Sequence, residues 1–182
     1  MLKNSNNQFG LISKLVHWIS ALMLLTLFAV GFWMVDLSYY SEWYRVAPYY
    51  HKAFGLLLFA LTLFRITWKF ATPQPDTIAK SSTERTFARL GHIALYIAML
   101  VIMMSGYLIS TADGRGIELF SIVTIPSMGE LIPNQEDVAG VIHEYAAYTI
   151  MVLIVGHITA ALKHHFIDKD ETLTRMTKTP RS

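Results

Sequence analysis

The sequence predicts an all-α protein, an integral membrane four-helix bundle forming one domain over residues 1–182. Three observations carry this. Hydrophobic residues make up 53% of the chain and charged residues only 15%, a balance more apolar than soluble domains carry. Long stretches lack any Asp, Glu, Lys or Arg. The lysines and arginines that do occur gather at alternate ends of those stretches.

The first predicted span covers roughly 15–35, where Leu15–Val35 is uncharged over 21 residues. That is longer than the apolar region of a signal peptide and long enough to cross a bilayer, so the segment reads as a retained span. The second, 48–70, has an uncharged run of only 12 residues, Ala53–Phe64. Lys52 and Arg65 lie near its ends and can snorkel, while Tyr49, Tyr50 and Trp68 supply interfacial aromatics. Pro73 and Pro75 mark its exit. The third, 89–111, is uncharged from Leu90 to Ala112, and the fourth, 139–163, from Tyr145 to Leu162. The longest connection, Asp113–Asp137, is partly apolar at Ile117–Val123 and Met128–Leu131, suited to lying on the membrane or capping the bundle.

Four spans put both termini on one side. That side, with the second-to-third connection, carries Lys3, Lys14, Arg65, Lys69, Lys80, Arg85, Arg89, Lys163, Lys169, Arg175, Lys178 and Arg181. The other side has only Arg45, Lys52 and Arg115. Twelve against three predicts cytoplasmic termini. Phosphate-binding glycine loops, nucleophile elbows and H-E-x-x-H are absent, and no nucleic-acid partner is expected. With no cysteine, disulfides, thiolate-held iron–sulfur clusters and covalent C-x-x-C-H haem attachment are excluded.

Seven histidines remain as the chemistry-bearing residues: 17, 51, 92, 143, 157, 164 and 165. An ionisable side chain inside a span is costly and points to function. His143 and His157 are 14 residues apart, about 40° short of four turns and roughly 21 Å along a helix. They share one face at two depths, which suits two haems stacked across the membrane, each completed by a histidine from a neighbouring helix. The outer pair is His51 with His143. His17, His92 and His157 compete for the two inner places, and spacing does not choose among them. Interhelical hydrogen bonding is the bland alternative, evenly balanced for His92 alone but strained as an account of four histidines at matching depths. Zinc fits less well, because no carboxylate stands beside the inner set. Gly55, one turn from His51, and Gly140, three residues before His143, allow a porphyrin to approach the backbone or simply pack helices closely.

Bis-histidine ligation leaves no open iron position, so outer-sphere electron transfer is the expected chemistry. A quinone site is expected on the cytoplasmic side. His164, seven residues beyond His157, is placed to exchange protons with a quinone, and Arg65, 14 beyond His51, to bind a quinone carbonyl or a haem propionate. Interfacial snorkelling explains both equally well. His165 points to lipid or solvent.

These residues resemble the bacterial cytochrome b561 family, related to the cytochrome b subunits of nickel–iron hydrogenases and formate dehydrogenases. The resemblance runs from His17-Trp18 to Met176 through His51 with Arg65, Leu90-Gly91-His92, His143 with His157, and the tail KHHFIDKDETLTRM at 163–176. It implies two b-type haems, the inner held by His17 and His157 and the outer by His51 and His143, leaving His92 as a spare near a propionate or the quinone. It also implies residence in the bacterial inner membrane and electron transfer between a periplasmic donor and ubiquinone.

Within that family, superoxide oxidase takes electrons from superoxide at the periplasmic face, and the same activity is one expectation here. Against it, the three outer cations face eight acids: Asp36, Glu42, Asp113, Glu118, Glu130, Glu136, Asp137 and Glu144. The alternative is a non-catalytic relay or anchor for a periplasmic redox or quinone-binding partner. A purely structural bundle predicts no haem.

Overall fold

The computed structural model describes residues 1–178, so Arg181 of the charge count lies outside the described residues. The elements run α1 (Leu11–Met34), α2 (Trp43–Ala71), α3 (Ser82–Thr111), β1 (Ile117–Leu119), β2 (Val123–Ile125), α4 (Gln135–Phe166) and the single-turn α5 (Thr174–Thr177). Helices α1 to α4 are long and apolar enough to cross a membrane. Each takes in one expected span and, apart from the C-terminal end of α1, reaches past or up to its limit. A run of uncharged residues stops at the first charge, whereas the helical hydrogen-bond ladder continues into the interface.

Local sequence explains the ends. Ser81 caps α3, its hydroxyl accepting from the Glu84 N–H at 3.1 Å, while the Glu84 carboxylate accepts from the Lys80 N–H at 2.8 Å. This is a variant of the Ser-x-x-Glu capping box. Helix α4 starts with Glu136 and Asp137 and finishes with Lys163, His164 and His165, each matched to the helix dipole.

The bundle is not wholly helical. Strands β1 and β2 form an antiparallel hairpin within the α3–α4 connection, pairing Ile117 with Ile125 and Leu119 with Val123. Phe120 and Ser121 take positive φ at its tip, and the Ile122 N–H donates to the Leu119 carbonyl at 3.0 Å. Gly116 is required beside it, because a Cβ there would sit 2.5 Å from the Ile125 carbonyl oxygen. Ile117 is buried, and Phe120 packs edge-on against Phe54 with ring centres 5.3 Å apart. The loop therefore caps α2.

At the opposite end, both terminal segments and the α2–α3 connection are tied together. The Asp76 N–H donates to the Asn6 carbonyl at 2.8 Å, and Arg175 donates to the Asp76 carbonyl at 2.8 Å. Trp18 donates to the Met176 carbonyl at 3.0 Å, and the Lys14 ammonium to the Lys178 carbonyl. Buried Asn4 links Thr72, Ser13 and the Gly10 N–H.

Helix α1 packs most extensively against α2, and α3 against α4. A mid-depth cluster of Leu24, Leu58, Ala98, Met99 and Ile150 joins all four. Seven-residue steps, nearly two turns, connect this cluster to the histidines. The steps run His17, Leu24, Gly31 on α1 and His51, Leu58, Arg65 on α2. On α3 they run His92, Met99, Gly106, and on α4 His143, Ile150, His157. Each helix thus contributes one residue to a tier at the α3–α4 loop end, an apolar middle and a tier at the end of the termini. The first of these tiers is outer and the last inner in the orientation the sequence predicts.

Candidate functional site

The outer tier contains His51, His143, Gly31 and Gly106. The His51 and His143 ring centres are 6.3 Å apart and the ring planes cross at 71°. Nδ1 of His143 lies 2.9 Å from the Ile102 carbonyl and 3.1 Å from the Ser105 hydroxyl. That hydroxyl donates to carbonyls of its own helix, at 2.9 Å to Val101, so its oxygen accepts from the imidazole. With Nδ1–H taken up, Nε2 is left as the basic nitrogen. Nδ1 of His51 is buried without a hydrogen-bond partner among the described residues.

The inner tier contains His17, His157, His92 and Arg65. His17 and His157 also stand 6.3 Å apart between ring centres, with their planes at 60°. His92 is closer to His157, at 5.4 Å, and its Nδ1 bonds the Ala88 carbonyl at 2.7 Å. Arg65 Nη2 lies 3.2 Å from His17 Nδ1. Tyr96 carries both cations of the neighbouring turn, Arg65 at 5.6 Å and Lys69 at 5.7 Å from its ring centre.

These spacings test the fit of a haem. Two imidazoles on opposite sides of one metal ion, with metal–nitrogen bonds of about 2.0–2.1 Å, have ring centres roughly 6.3 Å apart. Both His51/His143 and His17/His157 have that separation, while the His92/His157 contact is too short for it. A Cβ at Gly55 or Gly140 would meet no atom of a neighbouring element within 4 Å among the described residues, so close helix packing does not require glycine at either place.

His164 is held apart from both tiers. Its Nδ1 donates to Asp170 at 2.7 Å, and its Nε2 lies 3.6 Å from Glu84. Lys163 pairs with Asp168 at 2.5 Å. That hydrogen bond holds the Asp168 carboxyl below its usual range. Burial raises the Asp170 carboxyl, but hydrogen bonds from Thr172 and His164 outweigh it and the net shift is downward. Glu84, His164 and Asp168 bring their ligand atoms within 4.8 Å of one another, yet the Lys163 ammonium already supplies the positive charge among them. His165 stacks edge-on with Phe166.

Sequence reasoning missed Gly31, Gly106, Ser105, Ile102, Lys69 and Tyr96. The seven-residue register would have found the two glycines, since both fall on steps that start from a histidine. The Ile102 and Ser105 contacts depend on how α3 faces α4.

A four-helix membrane bundle with paired imidazoles in its core defines a membrane-bound electron-transfer cytochrome of the b type. Residues 8–179 match the family described as prokaryotic cytochrome b561, and the chain belongs to that family. It is a bacterial membrane protein that binds b-type haem and serves electron transport. It is 45% identical over 174 residues to cytochrome b561 homolog 2 of Escherichia coli K12, covering 95% of this chain and 93% of that protein. Cytochrome b561 homolog 1 of the same organism is 28% identical over 177 residues, covering 93% of this chain and 97% of the other. The probable superoxide oxidase CybB of Yersinia pestis is 24% identical over 167 residues, covering 88% and 90%.

Proposed function

We propose that this protein carries electrons across the bacterial inner membrane from a periplasmic donor to ubiquinone. The observation that carries the reading is the equal 6.3 Å spacing of two imidazole pairs at opposite ends of one bundle. His51 and His143 would hold an outer b-type haem, and His17 and His157 an inner one. Groups held in this way would supply one-electron outer-sphere transfer.

The protein's own groups do the rest. Ile102 and Ser105 fix the His143 tautomer through its Nδ1–H. Arg65 places a permanent cation in the inner tier, available to a propionate carboxylate or a quinone carbonyl. His92 stands beside His157 as a neighbour, not a ligand. His164, oriented by Asp170, stands at the same end, where a quinone taking up electrons would also take up protons. Both terminal segments and most of the lysines and arginines share that end, which supports a cytoplasmic orientation.

Superoxide is the donor suggested by the Yersinia relative's name. Two superoxide ions giving two molecules of oxygen would release the two electrons that, with two protons, convert ubiquinone to ubiquinol. The outer face weighs against an anion: of its three cations, Arg115 is already paired with Asp113 at 2.5 Å. That acidity favours the second reading, a relay that docks a basic periplasmic partner.

The test combines haem content with two rapid-mixing measurements. Two b-type haems per chain and reoxidation of the reduced protein by ubiquinone are expected. One haem, or no reoxidation by quinone, overturns the proposal. Fast haem reduction by superoxide selects oxidase activity over the relay, and no reduction selects the relay.

A further inference from the structure

The outer histidines lean on bare backbone. A Cβ at Gly31 would lie 3.0 Å from His51 Cε1, and one at Gly106 would lie 3.0 Å from His143 Cε1 and 3.3 Å from its Nδ1. Carbon atoms in ordinary contact stand about 3.5–4.0 Å apart, so a methyl at either place displaces or rotates the ring. The arrangement is repeated: α1 backs the histidine of α2, and α3 backs the histidine of α4. His51 depends on its glycine more, because its Nδ1 has no hydrogen-bond partner among the described residues to orient the ring. His143 has Ile102 and Ser105 as well. The inner tier lacks this device and has His92 and Arg65 beside its pair instead.

We propose that Gly31 and Gly106 are positioning residues that hold the imidazole planes of His51 and His143 crossed, and so set the electronic character of the outer haem. This rests on the reading that those two histidines are its axial ligands. Each imidazole interacts through its π system with the iron d orbital of matching orientation. Crossed planes, here at 71°, perturb two such orbitals almost equally and leave them nearly degenerate. Parallel planes split them. The consequence is spectroscopic: near-degeneracy gives a low-spin ferric signal of large g anisotropy, and splitting gives a rhombic one. Ligand orientation is thus a lever on the haem apart from ligand identity.

Low-temperature electron paramagnetic resonance of the oxidised holoprotein tests this, with His143→Ala marking which signal belongs to the outer haem. The wild type is expected to show a large-anisotropy outer signal. Gly31→Ala and Gly106→Ala are expected to shift that signal, or to lose the outer haem alone, while the inner signal stays in place. An outer signal unchanged in both alanine variants, with both haems bound, overturns the inference. If neither variant assembles, the wild-type spectrum decides, because a rhombic outer signal overturns it and a strongly anisotropic one supports it. Failure of the underlying reading looks different: His51→Ala would then retain both haem signals whatever the glycine variants do.

Discussion

Arg65 donates a hydrogen bond to Nδ1 of His17, with Nη2 at 3.2 Å. A guanidinium has no lone pair to offer, so in this contact the imidazole nitrogen accepts and the ring hydrogen sits on Nε2. Binding iron through Nε2 needs the other tautomer, with hydrogen on Nδ1. Under the proposed ligation Arg65 would release His17, which would free its charge for an anionic group at the same depth.

Replacing Arg65 with Gln should leave both haems in place but lower the midpoint potential of the inner haem. A unit positive charge nearby favours the reduced form by on the order of 1–2 kcal/mol at an effective dielectric of about 20, equivalent to tens of millivolts. A spectroelectrochemical titration resolving the two haems would read this, with the outer midpoint as internal reference. An unchanged inner midpoint would separate Arg65 from the inner haem.

The histidine variants should sort by ring spacing. His143→Ala and His157→Ala should each remove one haem, and His17→Ala should remove the same haem as His157→Ala. His92→Ala should retain two, because its ring stands 5.4 Å from that of His157, too close for opposite positions on one iron. Haem-to-protein ratios decide the matter, and a one-haem His92→Ala protein would reverse the inner assignment.

Ile150 is 1% exposed at the centre of the cluster that separates the tiers. Ile150→Ala should destabilise the bundle by about 2–4 kcal/mol, since the cavity is enclosed by three other helices and lipid chains do not reach it. Thermal unfolding in detergent followed by loss of the haem absorption measures the effect. A surface change such as Val152→Ala, facing lipid at 72% exposure, should cost far less.

The acidic end of the tail sets a pH limit. Asp168 and Asp170 both have folded-state pKa values below the ordinary carboxylate value of 3.8. The Lys163 pairing of Asp168 and the hydrogen bonds accepted by Asp170 therefore contribute fully above that value and are lost as pH falls through the lower folded-state values. The protection of residues 167–178 against amide exchange, relative to the intrinsic rate at each pH, should hold from neutral pH down to about 4 and fall only below it. Asp170→Asn should loosen the same residues at neutral pH.

Reduction from the outer side should depend on reductant charge. At about 0.01 M salt the Debye length is roughly 30 Å, against roughly 8 Å at 0.15 M, so the acidic face acts at a distance only in the former. A cationic reductant should lose rate as salt is added, and an anionic one should gain it. Stopped-flow reduction at two ionic strengths measures both, and equal slopes would mean that the outer charge does not steer the donor.

Four spans, the shared end of both termini and the two depths of histidine were legible from residue order alone. Bilayer thickness fixes helix length and helical pitch converts spacing into depth, so 14 residues between His143 and His157 leave little freedom. Which side chains meet across helices was not legible, because it depends on the rotation of each helix about its own axis. Spacing left His17, His92 and His157 competing for two inner places, and only packing gave them separations of 6.3 and 5.4 Å. Rotation likewise turned Ile102 and Ser105 of α3 toward His143 and left His51 Nδ1 without a partner. It also aimed Gly31 and Gly106 at the imidazoles, while Gly55 and Gly140, chosen for nearness in sequence, touch no neighbouring side chain. Sequence determines depth along a membrane helix, and tertiary packing decides azimuth.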